Sequence, residues 1–130
     1  MDQFGSASLE QSGKVFASID AVPAAERWNE HGGKGPIAFR RMFHDSDFFS
    51  AVDFVDYTVI PPASTIGRHQ HNGNEELYFI VCGSPLVTIN GQQVRLHAGG
   101  FSVVRSGGWH ELVNDTENDV EIVVVQVHHA

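Results

Sequence analysis

The stretch GRHQHNGNEELYFIVCG, residues 67–83, contains two short segments rich in β-forming residues, joined by a polar turn. His69 and His71 lie two positions apart, so in a strand their side chains project from the same face, about 7 Å apart. Glu76 opens the second segment, and a hairpin at the Asn-Gly turn returns its carboxylate to the two imidazoles. A His-x-His pair alone is more often a surface feature than a ligand pair, so a metal site here needs further ligands.

Short β-type segments continue on both sides of this stretch. Glycines separate them, with eight of the 13 between Gly67 and Gly108, and Asn90-Gly91 is a strong hairpin signal. Nine short strands at regular spacing, with almost no helix, predict an all-β sandwich or barrel. The predicted strands are Ile37–Phe43, Val52–Ile60, Thr65–His71, Glu76–Cys82, Leu86–Asn90, Gln93–His97, Phe101–Arg105, Trp109–Asn114 and Val120–Val127.

The first 35 residues differ from this pattern. Residues 1–13 are small and polar without a period, and we interpret them as a loose arm. Ala21–Trp28 is a candidate short helix, because Pro23 suits a first helical turn. The glycine-rich sequence HGGKGP at residues 31–36 then ends any regular structure. We therefore predict an N-terminal arm, residues 1–35, and a β-barrel domain, residues 36–130.

The composition limits the classes of function. The 130 residues suffice for one domain, and 16 acidic against 8 basic side chains give a formal net charge of −8, which disfavours nucleic acids, anionic membranes and acidic partners. No apolar run approaches the roughly 18–20 residues of a membrane-spanning helix, and the start lacks the pattern of a secretory signal. The single Cys82 cannot form an internal disulfide. We therefore expect a cytoplasmic protein.

A third histidine is the further ligand that the metal interpretation needs. His110 follows a Gly-Gly turn at the start of another predicted strand. Imidazoles from two separated segments plus one carboxylate are typical of a first-row transition-metal site, and open positions favour iron(II). Glu75 and Glu76 compete for the carboxylate role, and the alternation with Tyr78 favours Glu76. The remaining histidines are interpreted as solvated loop, edge or tail residues: His31, His44, His97, His128 and His129. The role of His44 is left undecided, because it lies near the expected barrel rim.

The opening stretch resembles the first motif of the cupin superfamily. That motif consists of two histidines, a glutamate and a glycine at fixed spacing. Here His69 and His71 are followed by four residues, Glu76, six residues and Gly83. Ala63 stands where the motif has its leading glycine, a position that shapes the backbone.

The stretch GGFSVVRSGGWHELVN, residues 99–114, resembles the second cupin motif. Gly99 is followed by five residues, Arg105 in the usual proline position, Gly107, two residues, His110, three residues and Asn114. Arg105 is interpreted as a solvated turn residue, with contact to an anionic substrate as the alternative. The two motifs occur in order, and the resemblance covers residues 53–127.

The resemblance implies a fold and a cofactor. The fold is a single cupin barrel, also described as a double-stranded β-helix or jelly roll. The cofactor is one divalent transition metal ion, either iron, zinc, manganese or nickel. Carried over residue by residue, the ligands are His69, His71, Glu76 and His110.

A metal inside the barrel implies that inward-facing residues line the space for a small-molecule substrate. Alternation with Glu76 and His110 identifies three inward positions. An arginine and a glutamine on otherwise apolar strands need a partner there, either a protein group or an anionic ligand. The candidates are Tyr78, as a proton donor or substrate-binding hydroxyl, and, as lining residues, Arg41, Ile80, Leu112 and Gln126.

Two classes of function follow from these expectations. The first is a metal-dependent enzyme acting on a small organic molecule, by dioxygenase or other oxidative chemistry with iron, or by Lewis-acid isomerisation, cyclisation or lyase chemistry with zinc, manganese or nickel. The alternative is a non-catalytic cupin that binds a small ligand or serves as an accessory module. The resemblance also implies a homodimer that exchanges N-terminal strands. Residues 120–127, VEIVVVQV, are interpreted as an apolar edge strand that pairs with a partner.

Overall fold

The computed structural model describes residues 13–129, which form an almost entirely β-stranded domain. Its helical segments are three single 3-10 turns, at Ile19–Ala21, Glu30–Gly32 and Asp45–Asp47. The predicted all-β fold is confirmed, and each of the nine predicted strands is present with its ends shifted by at most two residues. The strands are β1 (Ala25–Trp28), β2 (Pro36–His44), β3 (Val52–Ile60), β4 (Thr65–Gln70), β5 (Asn74–Cys82), β6 (Leu86–Ile89), β7 (Gln92–Arg95), β8 (Phe101–Val104), β9 (Trp109–Val113) and β10 (Val120–His128).

The strands form two antiparallel sheets around one apolar core. The larger sheet has the order β1-β2-β3-β10-β5-β8 and the smaller has the order β4-β9-β6-β7. Fully buried side chains from both sheets meet between them, among them Ile60, Ile80, Leu112 and Ile122. Burial of such side chains stabilises the fold by about 1.5–3 kcal/mol each. The predicted jelly-roll barrel is confirmed.

The hairpin predicted between β4 and β5 is not formed. β4 pairs with β9, whereas β5 pairs with β10 and β8 in the other sheet. The Asn-Gly turn therefore carries the chain across the barrel, and β4 and β5 face each other through the core. The hairpin predicted at Asn90-Gly91 is present, because both residues adopt positive φ, at 49° and 87°, between the paired strands β6 and β7.

The candidate helix at Ala21–Trp28 is wrong. A 3-10 turn ends at Ala21, and Ala25–Trp28 forms β1, which pairs antiparallel with β2 from Ala25 opposite Phe39 to Trp28 opposite Pro36. Tertiary pairing with the edge of the sheet overrides the weak local helix signal. The loose arm predicted at residues 1–13 lies, apart from Gly13, outside the described residues, and the domain division at residue 35 stays a prediction.

The interpretation of residues 120–127 as an edge strand is also wrong. β10 lies in the middle of the larger sheet, between β3 and β5. Its apolar residues face both the core and the outer side of this sheet, as the burial alternation from Val120 to Val125 shows. Within residues 13–129, none of the helical segments is long and apolar enough to cross a membrane.

Candidate metal centre

Three histidines and one glutamate converge inside the barrel. His69 on β4 lies directly opposite His110 on β9 in the antiparallel register. His71 follows the end of β4, where its N–H donates to the Gly108 carbonyl at 2.9 Å. Glu76 comes from β5 in the facing sheet. The two sheets therefore supply the two kinds of ligand, imidazoles from one and a carboxylate from the other.

The potential ligand atoms have the separations of a coordination shell. Nε2 of His110 lies 3.1 Å from Nε2 of both His69 and His71. Oε1 of Glu76 lies 3.2 Å from Nε2 of His110 and 3.5 Å from Nε2 of His71. All four ligand atoms lie within 4.8 Å of one another. Two ligands at right angles, each about 2.1 Å from one ion, are about 3.0 Å apart, so the cluster has the size that one metal ion requires.

Hydrogen bonds on the far side of two rings fix their orientation. Nδ1 of His69 donates to the Gly67 carbonyl at 2.8 Å, and Nδ1 of His71 donates to Oδ1 of Asn74 at 2.6 Å. When these rings are neutral, the proton on Nδ1 leaves an unprotonated Nε2 facing the cluster. Nε2 of His110 lies 3.1 Å from both of these nitrogens, and a single proton on it can serve only one of them, whereas a cation among the three nitrogens satisfies all of them. The donor set therefore fits a divalent transition metal.

Burial and mutual contacts shift the protonation of this cluster. Burial raises the pKa of Glu76, but hydrogen bonds from His110 and His71 outweigh it and lower the pKa to about 2. Burial lowers the pKa of His69 to about 4. The hydrogen bond to Glu76 raises the pKa of His71. At neutral pH the carboxylate is ionised and His69 is neutral, which are their ligating forms.

Tyr78 packs against the centre from β5. Its ring stacks on the His110 ring, with centroids 4.8 Å apart, and its hydroxyl oxygen lies 3.4 Å from Nε2 of His110. Burial, followed by the charge of Glu76, raises the pKa of Tyr78 well above its ordinary value. The hydroxyl therefore keeps its proton at neutral pH and is available as a hydrogen-bond donor.

A cavity of about 230 Å³ opens beside the cluster. The part of its wall formed by the larger sheet carries Arg41 on β2, whose Nε and Nη2 donate to the two carboxylate oxygens of Asp56 at 2.9 and 3.0 Å. The guanidinium lies 4.3 Å from the ring centre of Phe54. Nη1 is the remaining nitrogen of this rigid group. The wall thus offers a fixed guanidinium to a ligand at the metal centre.

The structure separates the predicted site residues into two groups. Arg41, Tyr78 and Gln126 line the cavity. Ile80 and Leu112 do not line it: both face inward, but they lie deeper in the barrel, where they are fully buried in the apolar core. The alternation identified their face correctly but carries no information on depth along the barrel.

The structure also shows where Glu75, Glu76 and Arg105 lie relative to the cluster. Glu76 is buried within the cluster, whereas Glu75 belongs to the opposite face of β5, as the alternating burial of this strand shows. Arg105, with its alternative role in anion binding, is exposed and is not among the cavity-lining residues.

Several cavity residues were not predicted from the sequence. His31 is exposed in a loop, as interpreted, but it also lines the cavity and stacks on His69 with ring centroids 3.7 Å apart. Arg27 and Glu30 line the same opening and form an ion pair at 3.2 Å. No motif spacing connects these residues to the ligands. The glycines around His31 were the one available signal, because they allow the chain to turn back over β4.

Comparisons with known proteins agree with this architecture. Residues 56–126 match the family model of the Cupin domain. An oxalate-binding protein of Thermotoga maritima is 28% identical over 116 residues, which cover 89% of this chain and 95% of that protein. The crystal structure of a predicted oxalate decarboxylase from Thermotoga maritima superposes with a TM-score of 0.86 at 24% identity, covering 88% of this chain and 100% of that one. The polyketide cyclase RemF from Streptomyces resistomycificus superposes with a TM-score of 0.73 at 18% identity, covering 88% and 79%.

Proposed function

This chain belongs to the cupin family, and we propose that it is a metal-dependent enzyme acting on a small organic acid bound in the barrel cavity. The observation that carries the proposal is the convergence of four ligand atoms within 4.8 Å of one another at the wall of a cavity. Two of the imidazoles are oriented by hydrogen bonds on their far sides. Such orientation is typical of a metal centre rather than of a solvated histidine cluster.

The proposed ligands are His69, His71, Glu76 and His110. With a divalent ion bound, one or two coordination positions stay open, and the ion supplies either oxygen activation, if it is iron, or polarisation of a carbonyl or enediol, if it is zinc, manganese or nickel. Tyr78, whose hydroxyl stays protonated, donates a hydrogen bond to an oxygen of the substrate. The structural neighbours include a predicted decarboxylase and a cyclase, so the reaction type follows from the metal and not from the fold.

The charges around the cavity support a small carboxylate as the substrate. Arg41 and Arg27 are offset by Asp56 and Glu30, so the wall itself is close to neutral. Three neutral imidazoles and one carboxylate around a divalent ion give about one net positive charge, which attracts an anion. A cavity of about 230 Å³ is smaller than the roughly 300–1,000 Å³ of a site for drug-sized ligands. The oxalate-binding relative makes oxalate the first compound to try.

Metal analysis followed by substrate screens tests this proposal. Protein purified without added ions is expected to contain about one equivalent of a transition metal and to turn over a small carboxylate, with oxygen uptake if the metal is iron. His71→Ala should lose both properties, whereas His97→Ala, an exposed histidine outside the cavity, should keep them. A metal-free protein with full activity that survives His71→Ala would contradict the proposal.

A non-catalytic ligand-binding role is the second candidate. The observation that favours it is the relative described as an oxalate-binding protein. Calorimetry with oxalate and product analysis on the same metal-loaded sample separate the two candidates. Saturable binding without product supports the binding module, and product formation supports the enzyme.

We also propose that two copies associate through the outer face of the larger sheet. Phe101, Val103 and Val81 are 62%, 39% and 37% exposed there, and Phe79 packs against Phe101 with ring centroids 4.6 Å apart. Val123 lies opposite Phe79 and extends this apolar face across β10. A second copy of the same face covers it with two-fold symmetry.

Light scattering on the purified protein tests this assembly. The wild type should be a dimer, and the double variant Phe101→Glu, Val103→Glu should be a folded monomer. Phe49→Glu, at an exposed phenylalanine outside both sheets, is the control and should stay dimeric. A monomeric wild type would contradict the proposal. Strand exchange by the N-terminal arm and a cytoplasmic location stay predictions, which truncation of residues 1–12 and cell fractionation test.

A further inference from the structure

The ring of His31 lies flat on the ring of His69. Their centroids are 3.7 Å apart and their planes differ by 11°. His69 is half-buried, whereas the other three members of the cluster are buried. The hydrogen bond from Nδ1 to the Gly67 carbonyl fixes one atom of the His69 ring but leaves the ring free to tilt about that bond. The rings of His71 and His110 contact it at 4.9 and 4.6 Å between centroids, and the flat stack with His31 is the closest ring contact that limits this tilt.

The backbone of residues 29–35 holds His31 in this place. His31 adopts φ +51°, a left-handed conformation that costs a non-glycine residue free energy and that is concentrated at functional sites. The segment is tied to the edge of β4, where the Thr65 N–H donates to the Lys34 carbonyl and the Lys34 N–H donates to Thr65 Oγ1, each at 2.8 Å. Gly67 lies directly beneath, where a Cβ would clash with the His31 carbonyl oxygen.

We propose that His31 is a positioning residue, which holds the His69 imidazole in its ligating orientation through ring stacking. This inference rests on the proposed metal centre. His31 is outside both sequence motifs and is not one of the four proposed ligands. Its contribution comes from its aromatic ring, so another ring can replace it, whereas a non-aromatic residue cannot.

Two substitutions separate the ring from the backbone. His31→Phe keeps a ring but tolerates positive φ less well, whereas His31→Asn tolerates positive φ and has no ring. If the ring is what matters, Phe retains metal affinity and Asn loses it. If only the loop conformation matters, the order is reversed. His97→Ala, at an exposed histidine outside the cavity, is the control.

Cobalt(II) titration of the apo proteins, followed by visible absorption and by NMR of the histidine rings, provides the test. His31→Asn should weaken cobalt binding by about tenfold and change the cobalt spectrum, and His31→Phe should match the wild type. Wild-type affinity and spectrum in His31→Asn would overturn the inference, as would an equal loss in both variants. If the wild type binds no cobalt, the metal proposal fails. The NMR shifts of the His69 ring protons then provide the test without metal. If the stack exists in solution, His31→Asn removes it and changes these shifts. Unchanged shifts in His31→Asn would show that the rings do not stack in solution and would overturn the inference.

Discussion

The carboxylate of Glu76 lies 3.2 Å from Nε2 of His110, although the two residues belong to strands of different sheets. The contact joins the sheets at the candidate metal centre, and the same oxygen reaches Nε2 of His71 at 3.5 Å. An ionised carboxylate buried at this depth requires a positive partner. The function and the stability of the barrel are therefore linked at this one side chain.

Replacing Glu76 by Gln should weaken metal binding without disrupting the fold. Gln has nearly the same shape but carries no charge, so it cannot supply the anionic ligand that the three imidazoles lack. We expect cobalt or zinc affinity to fall at least about tenfold, since loss of a residue that merely hydrogen-bonds to a metal ligand already has an effect of that size. The measurement is competitive titration against a chelator of known affinity, with circular dichroism to monitor folding.

Glu75→Gln is the matched control for this prediction. Glu75 is the sequence neighbour of Glu76 but is directed away from the cluster. Its replacement removes the same charge from the chain and should leave metal affinity unchanged. Equal losses in the two variants would show that the carboxylate assignment is wrong.

Replacing Arg41 by Met should destabilise the protein and weaken carboxylate binding. The substitution leaves Asp56, which is 6% exposed, as a buried charge without its bidentate partner. Loss of one member of a buried pair costs about 3–5 kcal/mol, and the partial exposure of Arg41 places the expected loss at the lower end. Urea denaturation measures the stability, and calorimetry with oxalate measures the binding.

The double variant Arg41→Met, Asp56→Asn distinguishes the two effects of this change. Removing the second charge should restore much of the stability, because no unpaired ion is then buried. Carboxylate binding should stay weakened, since the guanidinium is still missing. Recovery of binding in the double variant would argue against Arg41 as the anion-binding group.

Tyr57, on the outer face of the larger sheet, should ionise at a higher pH than an ordinary tyrosine. Its hydroxyl donates to Oε1 of Glu121 at 2.6 Å, and burial together with this hydrogen bond raises the pKa of Tyr57 to about 12. Because the pKa of Tyr57 is higher in the folded state than in the unfolded state, the contribution of this residue to stability is complete below its unfolded pKa of about 10. It is then lost as the pH rises towards 12.

Absorbance of tyrosinate in an alkaline titration checks this expectation. The chain has two tyrosines, and burial also raises the pKa of Tyr78, so the folded protein should show little tyrosinate at a pH where the denatured protein is half ionised. Glu121→Gln should bring the titration of Tyr57 to lower pH. Ionisation of Tyr57 near its ordinary value in the folded wild type would contradict the hydrogen bond to Glu121.

The strands and the candidate ligands could be predicted from the sequence because both depend on short-range spacing. The alternation along β5 places Glu76 and Tyr78 inward, and the two motifs bring His110 to His69. The partners across the barrel could not be predicted in this way. The pairing of Arg41 with Asp56 and the stacking of His31 on His69 depend on which strands meet, and neither leaves a local pattern in the chain.

Replacing Ala63 by Gly should stabilise the protein slightly. Ala63 occupies the position of the leading glycine of the first cupin motif, and its φ is +68°. The left-handed conformation costs alanine roughly 1–2 kcal/mol, whereas the greater freedom of glycine in the unfolded chain costs about 0.4–1 kcal/mol. The balance predicts a gain of about 0.5 kcal/mol in the free energy of unfolding by urea denaturation. Ala98→Gly, at an exposed alanine that is not among the positive-φ residues, should be destabilising, and equal effects of the two substitutions would show that backbone strain at Ala63 is negligible.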